Sequence, residues 1–443
     1  MISPSSLNQY LKCCLFTLLF SVSVMLVATS AENQTSKTEL ELNRLLFKLL
    51  NNNPELKSLK ANWESFREKA AIAGALPNPK FTFGYFVEPV ETRTGPQQSK
   101  LGLAQKFPWF GRLSAEKKSF AQAAGAYEMA WRSAQEEQAL RLAMAYLDAS
   151  YATKALSIID REINLVDAIK ASAERIYASS THQVGQEQVI RLSLLANEMR
   201  DQKIDFSKQL DLARYRIEQL IDEPLPPQMM FSYSEAYPLY RDGLLEAQEE
   251  ADNLDFALTN RPEYLATSFQ INAAQFKEKV SKLDRLPSFT LGFDYIFTGN
   301  SSSMPRPSDS GKDAAFIFIA LDLPIWANKQ MAQIKESKSQ VRRYKEVQAS
   351  VKTLIVKDIA DAKRALSSAN ESIRLYQESL LPESIRAREL VLATYAKGGQ
   401  QFLDVLDTEL NVLKAELGLA QQESNKLKAT WGLLRSLGIL TKQ

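Results

Sequence analysis

The chain has 443 residues, a formal net charge of +2 and 24% charged residues. This near-neutral balance argues against a nucleic-acid surface, which needs an excess of basic residues, so we expect no nucleic-acid partner. The 16 glycines and 17 prolines are few for the length and favour long, uninterrupted elements over many loops.

The N-terminal segment has the pattern of a secretory signal peptide. Lys12 precedes a sixteen-residue apolar run from Cys13 to Ala28, and small residues follow it. We predict cleavage after Ala31, which assigns residues 1–31 to the signal. An uncleaved membrane anchor is the alternative, but the run is short for a helix that spans a bilayer.

Cysteine and histidine are nearly absent from the mature chain. Both cysteines lie in the predicted signal, and His182 is the only histidine. Ordinary zinc sites need such ligands, so we expect no metal site and no cofactor. Glycine-rich phosphate loops and a His-Glu-x-x-His motif are missing, and the Ser-x-x-Lys match at residues 114–117 lacks its companion motifs. We therefore expect a protein that is not an enzyme.

The rest of the chain is an internal duplication. Pro54-Glu55 recurs as Pro262-Glu263, a spacing of 208 residues that stays constant for about thirty residues. A period this long indicates a duplicated half-molecule rather than a solenoid unit. We predict a first repeat at residues 32–222, a linker at 223–242 and a second repeat at 243–443.

Each repeat contains two segments whose polarity alternates with period two, which is the pattern of β-strands. Phe81 and Phe83 alternate with Thr82 and Gly84, for example. That alternation, a length of about nine or ten residues and an aromatic-rich face are typical of strands that cross an outer membrane. Ordinary hairpins on a soluble core are the alternative. The predicted strands are residues 80–88, 99–107, 288–297 and 314–323.

Four strands cannot close a barrel, whereas a barrel shared among several chains would have no exposed edge. The remaining residues predict long helices with narrow apolar stripes, as in antiparallel coiled coils. These helices cover residues 113–180 and 187–222 in the first repeat, and 329–397 and 400–437 in the second, with a local irregularity at Pro382. The predicted fold class is therefore mainly α with a small β portion.

Several short motifs, taken in order, carry a resemblance to a known family. They are LPNP at residues 76–79, QKFPWFGR at 105–112, YAKGG at 395–399 and FLDVLD at 402–407. Together with the duplication and the signal peptide, they resemble the TolC-like outer-membrane efflux channel family over essentially the whole mature chain.

The resemblance implies a homotrimer. Each chain would give four strands to a shared twelve-stranded outer-membrane β-barrel, in contact with lipid, and helical hairpins to a coiled-coil α-barrel in the periplasm. It also implies a passive exit duct of a tripartite efflux or secretion system, joined to an inner-membrane transporter of the RND type through a periplasmic adaptor. The motif FPWFG at residues 107–111 resembles the corresponding sequence of channels that are paired with heavy-metal exporters.

Asp404 and Asp407 are the candidate gate residues. They lie three apart, so they share a helix face just after the Gly398-Gly399 turn. The resemblance implies that carboxylates at this motif ring the periplasmic entrance, where they would attract cations. The alternative is a pair of solvated acids at a helix start, where the helix dipole favours negative charge.

The two repeats have equivalent turns between a descending and an ascending helix. Glycine at such a turn suits a left-handed cap. The resemblance implies that these tips contact the adaptor, whereas turn chemistry alone is the alternative explanation of the glycines. The tip residues are Val184, Gly185 and Gln186 in the first repeat, and Gly398, Gly399 and Gln400 in the second.

Two other classes of protein compete with a duct. The first is a soluble periplasmic coiled-coil adaptor or scaffold, and the second is a periplasmic enzyme. An adaptor has no need for four strands with one aromatic face, and no convincing catalytic constellation supports an enzyme. The strands therefore favour the duct.

Overall fold

The computed structural model of the chain describes residues 41–178, 185–233, 254–395 and 402–441. The predicted signal peptide lies outside these ranges. The described residues form long helices and one antiparallel sheet, so the prediction of a mainly α fold with a small β portion is confirmed.

Nine helices and five strands make up the described residues. The helices are α1 (residues 41–52), α2 (Pro54–Ala73), α3 (Arg112–Ala178), α4 (Gln186–Ile221), α5 (Leu254–Asn260), α6 (Pro262–Leu283), α7 (Ala327–Leu375), α8 (Leu381–Tyr395) and α9 (Phe402–Leu437). The strands are β1 (Lys80–Tyr85), β2 (Glu91–Thr92), β3 (Gly95–Phe107), β4 (Ser288–Thr298) and β5 (Ala314–Asp322). Within the described ranges, no helix has the combination of length and hydropathy needed to cross a bilayer.

The chain forms two compact units, and each unit draws on both sequence repeats. The strand unit comprises Ser58–Arg132 and Pro262–Thr353, and it contains the whole sheet. The helical unit comprises the described residues of Met1–Lys57, Ser133–Arg261 and Leu354–Gln443. The units therefore do not coincide with the repeats, because the first repeat supplies three strands and the second repeat two strands to one unit, and each repeat supplies a helical hairpin to the other unit.

The sheet has the strand order β1-β3-β4-β5, all antiparallel, and the short strand β2 pairs with the start of β3. The sequence pattern places the start of β3 at residue 99, but the strand begins at Gly95. A bulge between Gln97 and Ser99 interrupts the period-two alternation there, which hides the first residues of the strand. Gly95 has φ +131°, and a side chain at this position would meet the backbone of Gly299 and Asn300.

The helical unit is held together by apolar stripes on α3, α4 and α9. Fully buried Tyr146, Leu49 and Trp431 lie in one cluster, and Ile159, Leu192 and Met199 lie in a second. An ion pair between Lys154 Nζ and Glu423 Oε2, 2.6 Å long, flanks the packing of α3 on α9. Narrow buried stripes with charged flanks are the pattern of coiled-coil packing.

A π-helical turn, Tyr376–Leu380, separates α7 from α8. The predicted irregularity at Pro382 is therefore real but begins six residues earlier. Proline has no N–H and its ring would collide with the carbonyl four residues before it, that of Glu378. The wider π-turn accommodates this, and the N–H of Leu381 donates to the carbonyl oxygen of Tyr376.

Candidate functional site

The register of the sheet sorts its side chains into two faces, because residues directly opposite each other on neighbouring strands point to the same side. Leu103 is opposite Phe81 on one side and Phe293 on the other, and Phe293 is opposite Ile317. This apolar face is largely exposed in the chain, with Ile317 73% and Ile319 70% exposed. Its members are Phe81, Phe83, Tyr85, Leu101, Leu103, Leu291, Phe293, Tyr295, Phe297, Ile317, Ile319 and Leu321.

The opposite, polar face carries an ion pair in its middle. Thr82, Gly102, Asp294 and Phe316 lie opposite one another in a row across the four long strands. Asp294 is buried, and its Oδ2 lies 2.6 Å from Lys100 Nζ. Gly102 leaves room for the Asp294 carboxylate, which a Cβ there would strike. The polar face is therefore a packed surface rather than a fully solvated one.

Two aromatic side chains on the polar face were missed by the sequence pattern, which reads residues 314–323 as uniformly apolar. The ring of Phe318 covers Gly292, where a Cβ would collide with it. The ring centroid of Phe316 lies 5.5 Å from Lys100 Nζ, within the range of a cation–π contact. The pairing of β5 with β4 was the missing information, since it assigns each β5 residue to a face.

The two outer strands of the sheet have free edges among the described residues. Each of β1 and β5 has one neighbour, β3 and β4 respectively. Strand β5 is apolar, AAFIFIAL from residue 314 to 321, and nearly every residue in it is exposed. A long, apolar, unpaired edge is a template for pairing with another chain.

The QKFPWFGR motif lies where the sheet meets the helices of the strand unit. The Phe107 ring stacks on Phe289 with centroids 5.4 Å apart, and Phe110 lies 5.9 Å from the same ring. Arg112 opens α3, and its Nε lies 2.6 Å from Asp284 Oδ1 on the chain just after α6. Much of this motif therefore has a structural role, which joins strand ends to helix starts.

Asp404 and Asp407 lie in the first turns of α9. Asp404 is half-buried and Asp407 is exposed, while Val405 and Leu406 between them are buried. Neither carboxylate has an ion-pair partner among the residues that the structure describes. The pair therefore lies beside the apolar stripe of α9, free of a neutralising cation within the described chain.

The structure describes Gly185 and Gln186, whereas Val184, Gly398, Gly399 and Gln400 lie outside the described residues. Both described tip residues are exposed at the start of α4. The expectation of a left-handed glycine is wrong for Gly185, whose φ of −90° and ψ of 162° are extended. Gly185 is instead the N-cap of α4, and its N–H donates to Gln188 Oε1 at 2.9 Å. A Gln three residues after the cap was the available signal.

Comparison with known proteins agrees with this geometry. The profile of the family described as "Outer membrane efflux protein" matches residues 253–439. The outer membrane efflux protein BepC of Brucella suis is 27% identical over 195 residues, which is 42% of this chain and 40% of BepC. The pyoverdine export outer membrane protein OpmQ of Pseudomonas putida is 25% identical over 189 residues, 41% of this chain and 38% of OpmQ. The match thus spans about two fifths of these curated relatives.

Solved structures with a similar fold cover nearly the whole chain. The outer membrane protein VceC of Vibrio cholerae has a TM-score of 0.72 at 16% identity, over 90% of this chain and 96% of VceC. The open state of the MtrE outer membrane channel of Neisseria gonorrhoeae has a TM-score of 0.72 at 19% identity, over 91% and 90%. CusC has a TM-score of 0.73 at 17% identity, over 90% and 92%. At these identities the likeness establishes the fold.

A mainly helical chain with one two-faced sheet has the fold of these outer-membrane proteins. Residues 253–439, about two fifths of the chain, match the outer membrane efflux protein family. The resemblance to TolC-like channels is thereby confirmed.

Proposed function

We propose that the chain is the passive outer-membrane exit duct of a tripartite efflux or secretion system. The observation that carries the proposal is the sheet, which exposes aromatic and aliphatic side chains on one face and holds charged and small residues, together with Phe316 and Phe318, on the other. A sheet of this kind suits a wall between lipid and an aqueous lumen. Such a wall needs no catalytic residues, because it only has to keep the lumen open and separate it from the lipid.

The free strand edges support a homotrimer. One chain offers four long strands, and small membrane barrels start at about eight. Pairing the β5 edge of one chain with the β1 edge of the next would satisfy both rows of backbone groups and remove every edge. Three chains then give the twelve-stranded barrel of the homotrimer.

The proposed partners follow from the resemblance to efflux channels. A periplasmic adaptor would contact the helix tips, and an inner-membrane transporter of the RND type would deliver the substrate. The exposure of Gly185 and Gln186 at the start of α4 is consistent with a contact there. The second tip, residues 398–400, would take the equivalent place in the other repeat.

Heavy-metal ions are the substrate class that the FPWFG motif supports. The curated OpmQ relative is named for pyoverdine export, so export of such a compound is the competing class. Within the duct, Asp404 and Asp407 would ring the periplasmic entrance and favour cations. The transporter encoded beside this chain would decide between the two substrate classes.

The function is tested by location and assembly. We expect the mature protein to sediment with outer membranes and, in detergent, to have the mass of three chains with its strand content intact by circular dichroism. A protein that stays in the soluble periplasmic fraction would instead support the coiled-coil adaptor or scaffold. A stable single chain with full strand content would contradict the shared barrel.

The docking role of the first tip is tested by Gly185→Val. Valine accepts the extended backbone found at this position, and no atom of the described residues, apart from its chain neighbours, lies within 4 Å of its Cβ, so the trimer should form. We expect chemical cross-linking to the adaptor to fall several-fold while the amount of trimer is unchanged. Tyr215→Val, an exposed change further along α4, is the control. Normal cross-linking of the Gly185 variant would remove the first tip from the docking surface.

A further inference from the structure

Two neighbouring carboxylates are buried in the core of the helical unit, where the channel function gives them no role. Glu409, on α9, is 0% exposed, and Glu162, on α3, is 1% exposed. Among the described residues, neither oxygen of Glu409 has a hydrogen-bond partner, and Oε2 of Glu162 also lacks one. Buried polar groups in proteins nearly always have partners, so three orphan oxygens in one neighbourhood call for an explanation.

The cations near these carboxylates satisfy them only in part. Arg388 Nη1, on α8, lies 3.7 Å from Glu409 Oε2, which is too far for a hydrogen bond. Arg161 Nε lies 3.3 Å from Glu162 Oε1, but the same guanidinium also pairs with Glu416. Helix α4 contributes apolar side chains to this part of the core, Leu195, Ala196 and Met199 among them.

The charges around the site do not balance when every group is ionised. Three glutamates, at 162, 409 and 416, face two arginines, at 161 and 388, which leaves one excess negative charge. A single proton on Glu409 removes that excess. It also turns one orphan oxygen into a neutral hydroxyl, which costs much less to bury than a carboxylate.

The direction of the pKa shift agrees with this balance. Burial raises the pKa of Glu409 above its ordinary value of 4.5; Arg388 opposes the rise, and the charge of Glu162 adds to it. Burial likewise raises the pKa of Glu162, against the hydrogen bond from Arg161. Both carboxyls therefore hold a proton to higher pH than they would in an unfolded chain.

We propose that Glu162, Arg388 and Glu409 form a proton-binding site in the helical core, with Glu409 as the proton carrier, and that proton loss loosens the packing of α8 and α9 on α3. The three residues come from these three helices, so the excess charge acts across both contacts. With the proton bound, the cluster is neutral and the helices pack as observed.

The site lies close to the proposed entrance. Glu409 follows Asp404 by five residues, about one and a half turns of the same helix. Loosening α9 at Glu409 would therefore reach the first turns, where the aspartates lie. This coupling to the entrance rests on the proposed function, whereas the proton site itself does not.

The sign of the pH dependence follows from the raised pKa. Below pH 4.5 the folded and unfolded chains both hold the proton, so the site adds no pH dependence. As the pH rises from 4.5 through the folded pKa, the unfolded chain binds fewer protons than the folded one. Stability of the α8–α9 packing therefore decreases across that window and stays low above it.

The test uses hydrogen–deuterium exchange on the purified full chain in detergent. In the wild type, protection of residues 405–413, corrected for intrinsic exchange, should fall by up to about tenfold per pH unit within the window. Glu409→Gln mimics the protonated form and should keep its protection as the pH rises. Glu423→Gln is the matched control, because it makes the same change on the same helix in a half-exposed pair with Lys154. In the Glu423→Gln variant, protection of residues 405–413 should fall with rising pH as it does in the wild type.

Infrared difference spectroscopy of the same samples reports the proton directly. The wild type should show a protonated-carboxyl band that persists well above pH 4.5, and Glu409→Gln should lose the component of that band that Glu409 contributes. Where Glu409→Gln does not fold, Glu162→Gln removes the same excess charge and should abolish the pH dependence of exchange. Absence of the band in the wild type, or a Glu409→Gln variant that loses protection as the wild type does, overturns the proposal. Neither result bears on location or trimer formation, so the proposed function stands or falls separately.

Discussion

Replacing Ile319 with arginine is expected to abolish the assembled trimer, whereas Ala320→Arg in the same strand leaves it intact. Ile319 lies on the apolar face opposite Leu291, and Ala320 lies on the polar face opposite Thr290. An arginine that faces lipid near the middle of a membrane barrel costs about 2–4 kcal/mol. Because each of three chains would carry the charge, the cost to the trimer is about three times larger.

The measurement is the amount of trimer in purified outer membranes, read by native electrophoresis without heating. Ile319 and Ala320 are neighbours at nearly the same depth, so the pair isolates the face of the sheet as the variable. Both side chains are exposed in the single chain, so neither change opens a cavity. Equal loss of trimer in the two variants would show that the assignment of faces is wrong.

Phe293 and Asp294 are a less suitable pair, although they are also adjacent on opposite faces. Asp294 is buried, paired with Lys100 and seated over Gly102. Arginine at 294 would therefore bring two cations together and fill the space beside Gly102. Both variants should fail to assemble, for different reasons, so the comparison would not identify the face that contacts lipid.

The alternation of side chains was readable from the sequence, because period two is a property of each strand alone. The burial of Asp294 was not, because it depends on which residues of β3 and β5 come opposite. Lys100, Gly102 and Phe316 are brought together only by the strand register. Pairing between distant segments is set by the whole sheet, and no local pattern contains it.

Glycine at the first tip illustrates a second limit. A left-handed turn and a helix N-cap both favour glycine, so the residue type at 185 could not tell them apart. The backbone angles decide for the N-cap. The position of the π-turn is similar, because Pro382 marks a disturbed helix without saying where the extra residue is inserted.

The burial of the two glutamates could be predicted from their spacing in the sequence. Glu409 follows Leu406 by three residues and precedes Leu413 by four, so it occupies a core position of the apolar stripe. Glu162 stands likewise four residues from Ile158 and from Val166. A charged residue at such a position predicts either a partner or a shifted pKa. Which of the two applies needed the positions of Arg161 and Arg388.

Replacing both Asp404 and Asp407 with alanine should remove block of the resting channel by a trivalent cation and lower its preference for cations. In a trimer the pair supplies six carboxylates around the proposed entrance. Like charges crowded at a narrow opening create a field that is screened less than at an open surface. The described chain offers no cation to neutralise them, so the field would act on ions in the pore.

The trimer itself should survive the double substitution. Asp404 lies in the first turn of α9, where an acid contributes about 0.3–1 kcal/mol through the helix dipole, and Asp407 lies beyond that turn, where the dipole contributes less. Conductance in planar bilayers, with and without the trivalent ion, measures the effect. The control is Asp205→Ala/Asp211→Ala, which removes the same charge from exposed positions on α4. If the gate variant keeps the block and selectivity of the control, the two aspartates are only solvated acids at a helix start, and the entrance is narrowed by other residues.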